Sequence, residues 1–219
     1  MSILDVLAAR GAVLTDKHFV YAKGGHGPNY INIDPALPDV ELMNEVCHQL
    51  GAPFSGNVDT VAAPATGGIP LAVLTALSLT GRDKRHPAVV WADKITVDGK
   101  DDFVFDRDGF KRELSGRRVL IVEDLLNTGG SVKQVVDRAR EAGAEVVGVS
   151  VVCNRGPETA ESLGVPKLHA VEKVDFQVFP GDDCPLCVRE VPIVTDIGHG
   201  AGYQVTHPDY VGKYVTLLD

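Results

Sequence analysis

Glu123 and Asp124 stand side by side, and a few residues later comes the turn Asn127-Thr128-Gly129-Gly130-Ser131. Glycines let a backbone approach an anion closely, and Thr128 and Ser131 add hydroxyl donors. A helix beginning at such a turn offers unpaired N–H groups and a partial positive charge, so the turn is a phosphate cradle. Two carboxylates beside it would repel phosphate and need another task. Acceptor pairs suit the vicinal hydroxyls of a sugar, and Mg²⁺ nearby would offset their charge. A ribose diol carrying a 5-phosphate satisfies both halves.

The flanking residues supply the elements that must hold this group. Val119 to Val122 form a continuous apolar run, suited to a parallel strand buried on both faces. Val132, Val135, Val136, Ala139 and Ala142 recur at helical spacing, and Gly143 is placed to end that helix. Strand, acidic pair, turn and helix in that order put the ligand beyond the carboxyl end of a strand in an open α/β sheet. A second unit repeats the pattern. Thr60 to Ala63 read as a strand, Ala65-Thr66-Gly67-Gly68 as a glycine turn, and Ile69 to Leu79 as an apolar helix. By the same argument this turn is a second backbone anion site. Neither a P-loop nor a dinucleotide glycine fingerprint is present.

Elsewhere, Ile3 to Arg10 read as a short helix ending at Gly11. His18 to Tyr21 and Tyr30 to Ile33 are strand-like and are joined by the loop from Lys23 to Asn29. Glu41 to Leu50 carry a helical apolar stripe closed by Gly51. Ala88 to Ala92 and Val146 to Val152 are further strands, and Asp93 to Glu113 are polar and aperiodic, which predicts a mobile excursion. Beyond about residue 180 the pattern breaks into Pro, Gly and Asp. Strands alternating with helices imply a mainly parallel sheet.

The 219 residues suit one domain, and the net charge of −9 argues against nucleic acid or an anionic membrane as partner. Ile69 to Leu79 are too few to span a bilayer, and the first residues lack the basic start of a signal peptide. Four scattered cysteines, at 47, 153, 184 and 187, make no disulfide framework. A reduced, cytoplasmic enzyme is expected.

Val119 to Ser131 resemble the phosphoribosyl pyrophosphate signature of the type I phosphoribosyltransferases, with Glu-Asp for the acidic pair and Thr-Gly-Gly-Ser for the turn. Ala65-Thr66-Gly67-Gly68-Ile69-Pro70 resemble the orotate branch of that family, as do Phe19, Gly24, Tyr30 and Ile31 around the first loop. Trp91-Ala92-Asp93-Lys94, Arg107-Asp108-Gly109-Phe110 and Cys184-Pro185-Leu186-Cys187 resemble one bacterial and archaeal branch of the orotate enzymes. The better-known branch has a longer basic loop, whose basic positions are here Asp93, Val97 and Gly99, with Lys100 as a substitute.

The resemblance implies an α/β type I phosphoribosyltransferase fold, a mainly parallel sheet flanked by helices. Residues 1–219 would form one domain, with about 1–50 and 165–219 contributing a small hood and a tail. It implies transfer of 5-phosphoribose from phosphoribosyl pyrophosphate (PRPP) to orotate, with Mg²⁺ held mainly through PRPP and no metal ligand assigned directly, in a homodimer. Glu123, Asp124, Asn127, Thr128, Gly129, Gly130 and Ser131 would hold the ribose and 5-phosphate. Ala65, Thr66, Gly67, Gly68 and Lys94 would hold the pyrophosphate, and Lys23, Thr128 and Arg155 the orotate. Lys94, Asp124 and Glu123 would carry catalysis. Asn154 stands where the orotate branch has an acid. Two alternatives use the same donor site: transfer to another nucleobase, or PRPP sensing without turnover. Cys184 and Cys187 alone are half of a structural zinc site, which His199 or His207 could complete; reduced structural thiols are the simpler expectation.

Overall fold

The computed structural model describes residues 2–83 and 86–217. They form two compact units, one made of 1–36 with 175–219 and the other of Leu37–Val174. The first segment of the smaller unit carries α1 (Ile3–Ala9), β1 (Val13–Leu14), β2 (Phe19–Val20), β3 (His26–Gly27) and β4 (Tyr30–Ile31). The larger unit carries α2 (Val40–Gly51), β5 (Thr60–Pro64), α3 (Gly68–Asp83), β6 (Ala88–Val97), β7 (Lys100–Val104), α4 (Phe110–Leu114), β8 (Arg118–Leu126), α5 (Gly130–Glu141), β9 (Glu145–Asn154) and β10 (Leu168–Lys173). The chain then returns to the smaller unit as α6 (Pro185–Val188), β11 (Ile193–Val194), α7 (Gly200–Thr206) and β12 (Tyr214–Val215).

The larger unit is a six-stranded sheet in the order β10-β9-β8-β5-β6-β7, parallel except for β7 at one edge. Its central strands are buried on both faces, as their unbroken apolar runs require. On one face Val119, Ile121, Val149 and Val151 pack with Val132, Val135, Val136 and Ala139 of α5. Ser150, pointing the other way, donates to the Leu50 carbonyl at the end of α2, so helices cover both faces. Gly143, at φ +87°, follows the end of α5 as its spacing predicts.

Several expectations are corrected. Residues 93–113 are not an irregular excursion: β6 runs on to Val97 and turns through Asp98 and Gly99, both at positive φ, into antiparallel β7. An Asp-Gly pair at positive φ is the two-residue hairpin turn that matches strand twist. Gly51 does not close α2; it keeps helical angles and leads into a 3₁₀ turn over Ala52–Phe54. The strands near His18 and Tyr30 are shorter than expected and do not pair with each other. β2 pairs with β3 inside the expected loop, and β4 pairs with β1. The tail also has order, since β11 pairs with β12, and Val194 and Ile197 pack on Phe19.

Candidate active site

Four neighbouring parallel strands deliver the expected site residues of the larger unit to one edge of the sheet. Pro64 at the end of β5 lies opposite Ala92 of β6, and the Ala65 N–H donates to the Ala92 carbonyl at 2.8 Å. Leu126 at the end of β8 lies opposite Asn154 of β9, and the Arg155 N–H donates to the Leu126 carbonyl at 2.9 Å. The turns after β5 and β8, together with Lys94 and Arg155, therefore leave the carboxyl ends of adjacent strands, where open α/β sheets bind ligands.

Glu123 and Asp124 lie within β8, which extends four residues past the apolar run. Successive residues of a strand point to opposite faces, yet each carboxylate folds back on its own backbone. Glu123 Oε1 accepts from the Asp124 N–H at 3.1 Å, and Asp124 Oδ1 accepts from the Leu125 N–H at 2.7 Å. Burial, and then the Asp124 charge, raise the Glu123 carboxyl well above its ordinary range. The pair thus resists carrying two negative charges until a cation or hydroxyl donors arrive. Its hard oxygen donors fit Mg²⁺ bound together with a sugar phosphate.

The turn after β8 leads directly into α5. Thr128, Gly130 and Ser131 are exposed, while Gly129 is buried at φ +67°. A Cβ on Gly129 would meet Leu163 Cδ2 at 2.9 Å and the Glu158 carboxyl at 3.2 Å. The glycine is demanded by the protein's own packing before any ligand is considered. A Cβ on Gly130 would meet nothing within 4 Å. Asn127 accepts from Arg155 Nε through Oδ1, which ties the expected phosphate turn to the expected orotate arginine. Asn154 is buried and shapes the following turn, donating to the Glu158 carbonyl and accepting from the Gly156 N–H. Gly156 packs so closely on Asn127 that an added Cβ would collide with its carbonyl oxygen.

In the second turn, Thr66 and Gly67 are exposed, Ala65 is half-buried, and the Ala65–Thr66 peptide is cis. Gly68 is buried, with 2.8 Å between an added Cβ and that of Ala63, so α3 starts close against β5.

Lys94 lies on the exposed β6–β7 arm and pairs with Asp101 at 2.7 Å. Lys100 lies on the same arm, at the start of β7. Asp93 accepts a two-pronged hydrogen bond from Arg107, whose guanidinium lies 4.9 Å from the centre of the Trp91 ring. Sequence reasoning noted Arg107 but gave it no task; its task in the fold is to neutralise Asp93 beside Lys94. Glu158 and Asp101 were missed, since neither lies in a motif. Lys23 belongs to the smaller unit, exposed in the turn closed by the Gly24 N–H on the Tyr21 carbonyl.

Residues 40–182 match the model of the phosphoribosyl transferase domain family. The orotate phosphoribosyltransferase of Chlorobium phaeobacteroides (strain DSM 266) is 34% identical over 196 residues, 87% of this chain and 92% of that protein. The orotate phosphoribosyltransferase of Caldanaerobacter subterraneus is 32% identical over 184 residues, 83% of this chain and 89% of that protein. The crystal structure of orotate phosphoribosyltransferase from Aeropyrum pernix superposes with a TM-score of 0.62 at 26% identity, covering 78% of this chain and 93% of that one. Adenine phosphoribosyltransferase from Thermoanaerobacter pseudethanolicus shares the fold at a TM-score of 0.52 and 20% identity. With the matched domain spanning the whole six-stranded sheet and both turns, the chain belongs to the phosphoribosyltransferase family, among its orotate phosphoribosyltransferases.

Proposed function

We propose that the protein transfers 5-phosphoribose from PRPP to orotate, giving orotidine 5′-monophosphate and pyrophosphate, as a step of pyrimidine synthesis in the cytoplasm. The observation that carries this reading is the delivery of two glycine turns, an acidic pair and a lysine arm to one sheet edge, in a chain about a third identical to named orotate enzymes. The turn from Asn127 to Ser131 takes the 5-phosphate, and Glu123 and Asp124 take the ribose hydroxyls. The turn from Ala65 to Gly68 takes the pyrophosphate, and Thr128 and Arg155 the orotate.

No strong nucleophile is required, because the anomeric carbon passes through an oxocarbenium-like state. Orientation of donor and acceptor supplies much of the rate, and stabilisation of the leaving pyrophosphate supplies more. Mg²⁺, when bound with PRPP, neutralises the charge that builds on the leaving group. Asp124 and Glu123 orient the ribose and face the developing positive charge. Lys94 gives up Asp101 for the pyrophosphate. Both partners are exposed, so their pair holds the lysine by no more than about 1 kcal/mol. Arg107 keeps Asp93 from opposing that exchange. The arm acts on the site of a second copy in a homodimer, and residues 1–219 function as one phosphoribosyltransferase domain.

The test is the fall in orotate absorbance with PRPP and Mg²⁺. Activity should require both and should stop on chelation. Mixing Lys94→Ala with Asp124→Asn protein should restore part of the activity through mixed dimers; failure of rescue, with each variant folded, would place the arm on its own subunit's site.

A further inference from the structure

The transfer proposed above gives the motif Cys184-x-x-Cys187 no role, and in the fold the motif does not stand alone. Its two sulfurs converge with two buried histidines from the other end of the chain, His18 and His26. All four residues belong to the smaller unit. His18 Nε2 lies 3.0 Å from His26 Nδ1, 3.7 Å from Cys184 Sγ and 3.8 Å from Cys187 Sγ, and His26 Nδ1 lies 3.3 Å from Cys187 Sγ. The four atoms are all within 4.8 Å of one another, and both cysteines are free thiols.

We propose that His18, His26, Cys184 and Cys187 form a closed tetrahedral site for a structural divalent metal of the zinc class. Zinc bonds of about 2.3 Å to sulfur and 2.0–2.1 Å to nitrogen, set tetrahedrally, give ligand–ligand edges of roughly 3.3–3.8 Å. The three sulfur–nitrogen distances above fall within that range, and the nitrogen–nitrogen distance of 3.0 Å lies just below it. His18 also has the support a metal-bound imidazole needs. Its Nδ1 is 2.8 Å from the Val191 carbonyl, an acceptor only, so Nδ1 carries the proton and Nε2 turns its lone pair to the centre. The Val191 carbonyl also accepts from Tyr210, and Tyr210 packs edge-on against His18. Tyr203 covers His26 in the same way. Two thiolates and two imidazoles suit zinc over magnesium, and four protein ligands leave no open position for catalysis. His199 and His207 are not in the set; His207 is exposed and stacks on Tyr203.

The site joins segments more than 150 residues apart in the chain. It clamps both ends of the β2–β3 hairpin, from His18 to His26, whose tip carries Lys23. A metal in this position fixes the smaller unit where a few short strands supply little core.

The test uses the full-length protein purified without chelator or affinity metal. Elemental analysis should find one zinc per chain, and Cys187→Ser and His26→Ala should lower that ratio toward zero. Protein stripped of metal and given Co²⁺ should show the intense visible absorption of tetrahedral cobalt with sulfur-to-metal charge transfer. Should a variant fail to fold, the wild type still decides: a strong chelator should release the metal, expose two fast-reacting thiols and lower the melting temperature. The proposal is overturned by wild-type protein without stoichiometric metal that also binds no Co²⁺ in thiolate coordination, or by recovery of Cys184 and Cys187 as a disulfide. Metal content is read without substrate, so its outcome is independent of the transferase reading.

Discussion

Replacing Gly129 with alanine should destabilise the protein strongly, without touching any catalytic group. At φ +67° a Cβ costs about 1–2 kcal/mol in the left-handed region. The same Cβ would sit 2.9 Å from Leu163 Cδ2 and 3.2 Å from the Glu158 carboxyl. Leu163 is a fully buried member of the main core, so it cannot yield freely, and such overpacking costs about 1–3 kcal/mol. The total is about 2–5 kcal/mol, and at about 2–4 °C per kcal/mol for a chain of this size the melting temperature should fall by roughly 4–20 °C. Gly130→Ala is the internal control. Its Cβ meets nothing within 4 Å at the first helical position, so stability should hold within about 1 kcal/mol of wild type. Thermal unfolding followed by circular dichroism, without ligand, reads both. A Gly129→Ala protein as stable as wild type would refute the reasoning that packing against Leu163 and Glu158 dictates this turn.

Other perturbations separate the remaining roles. Asp124→Asn should lower kcat/KM at least about tenfold, some 1.4 kcal/mol of transition-state stabilisation, in a protein that folds normally. Lys94→Ala should cut kcat with little change in melting temperature, because its only ion pair with a described residue is the exposed one to Asp101. Arg155→Ala should raise KM for orotate more than for PRPP, by an amount typical of a charge-assisted bond, about 1.5–3 kcal/mol. The Glu123 carboxyl titrates above its unfolded value of 4.5, so its neutral form favours the folded state. That contribution is fully present below about 4.5 and is lost as pH rises through the folded value. Glu123→Gln should therefore gain melting temperature over wild type as pH rises from 5 to about 8, and a constant difference across that window would contradict the burial argument.

Much of the larger unit was legible in sequence because its signals are local. An apolar run, a turn with glycines and a 3.6-residue stripe define β8, the cradle and α5 within about 25 residues, and the observed strand and helix differ from that reading only by a few end residues. The β6–β7 arm was missed because most of its residues face solvent, with Phe103 the buried exception in β7. Only Asp98-Gly99 marked it, and that dipeptide was the readable signal. The smaller unit was opaque for another reason. Its strands have two residues each and pair across loops or chain ends, so neither periodicity nor length could announce them. The joining of Cys184 and Cys187 to His18 and His26 is likewise a contact between distant segments, invisible in the spacing of either pair. Arg107 illustrates the intermediate case: its motif was readable, its partner Asp93 fourteen residues back was not.

The central claim, that this donor site serves orotate, is tested most directly by competition. Purified protein with Mg²⁺ and limiting PRPP is given equal concentrations of orotate, uracil, adenine, guanine and hypoxanthine, and nucleotide products are quantified by mass spectrometry with pyrophosphate release. Orotidine 5′-monophosphate should account for essentially all product and match the pyrophosphate one to one. A dominant purine or uracil nucleotide, or PRPP binding with no nucleotide at all, would contradict it.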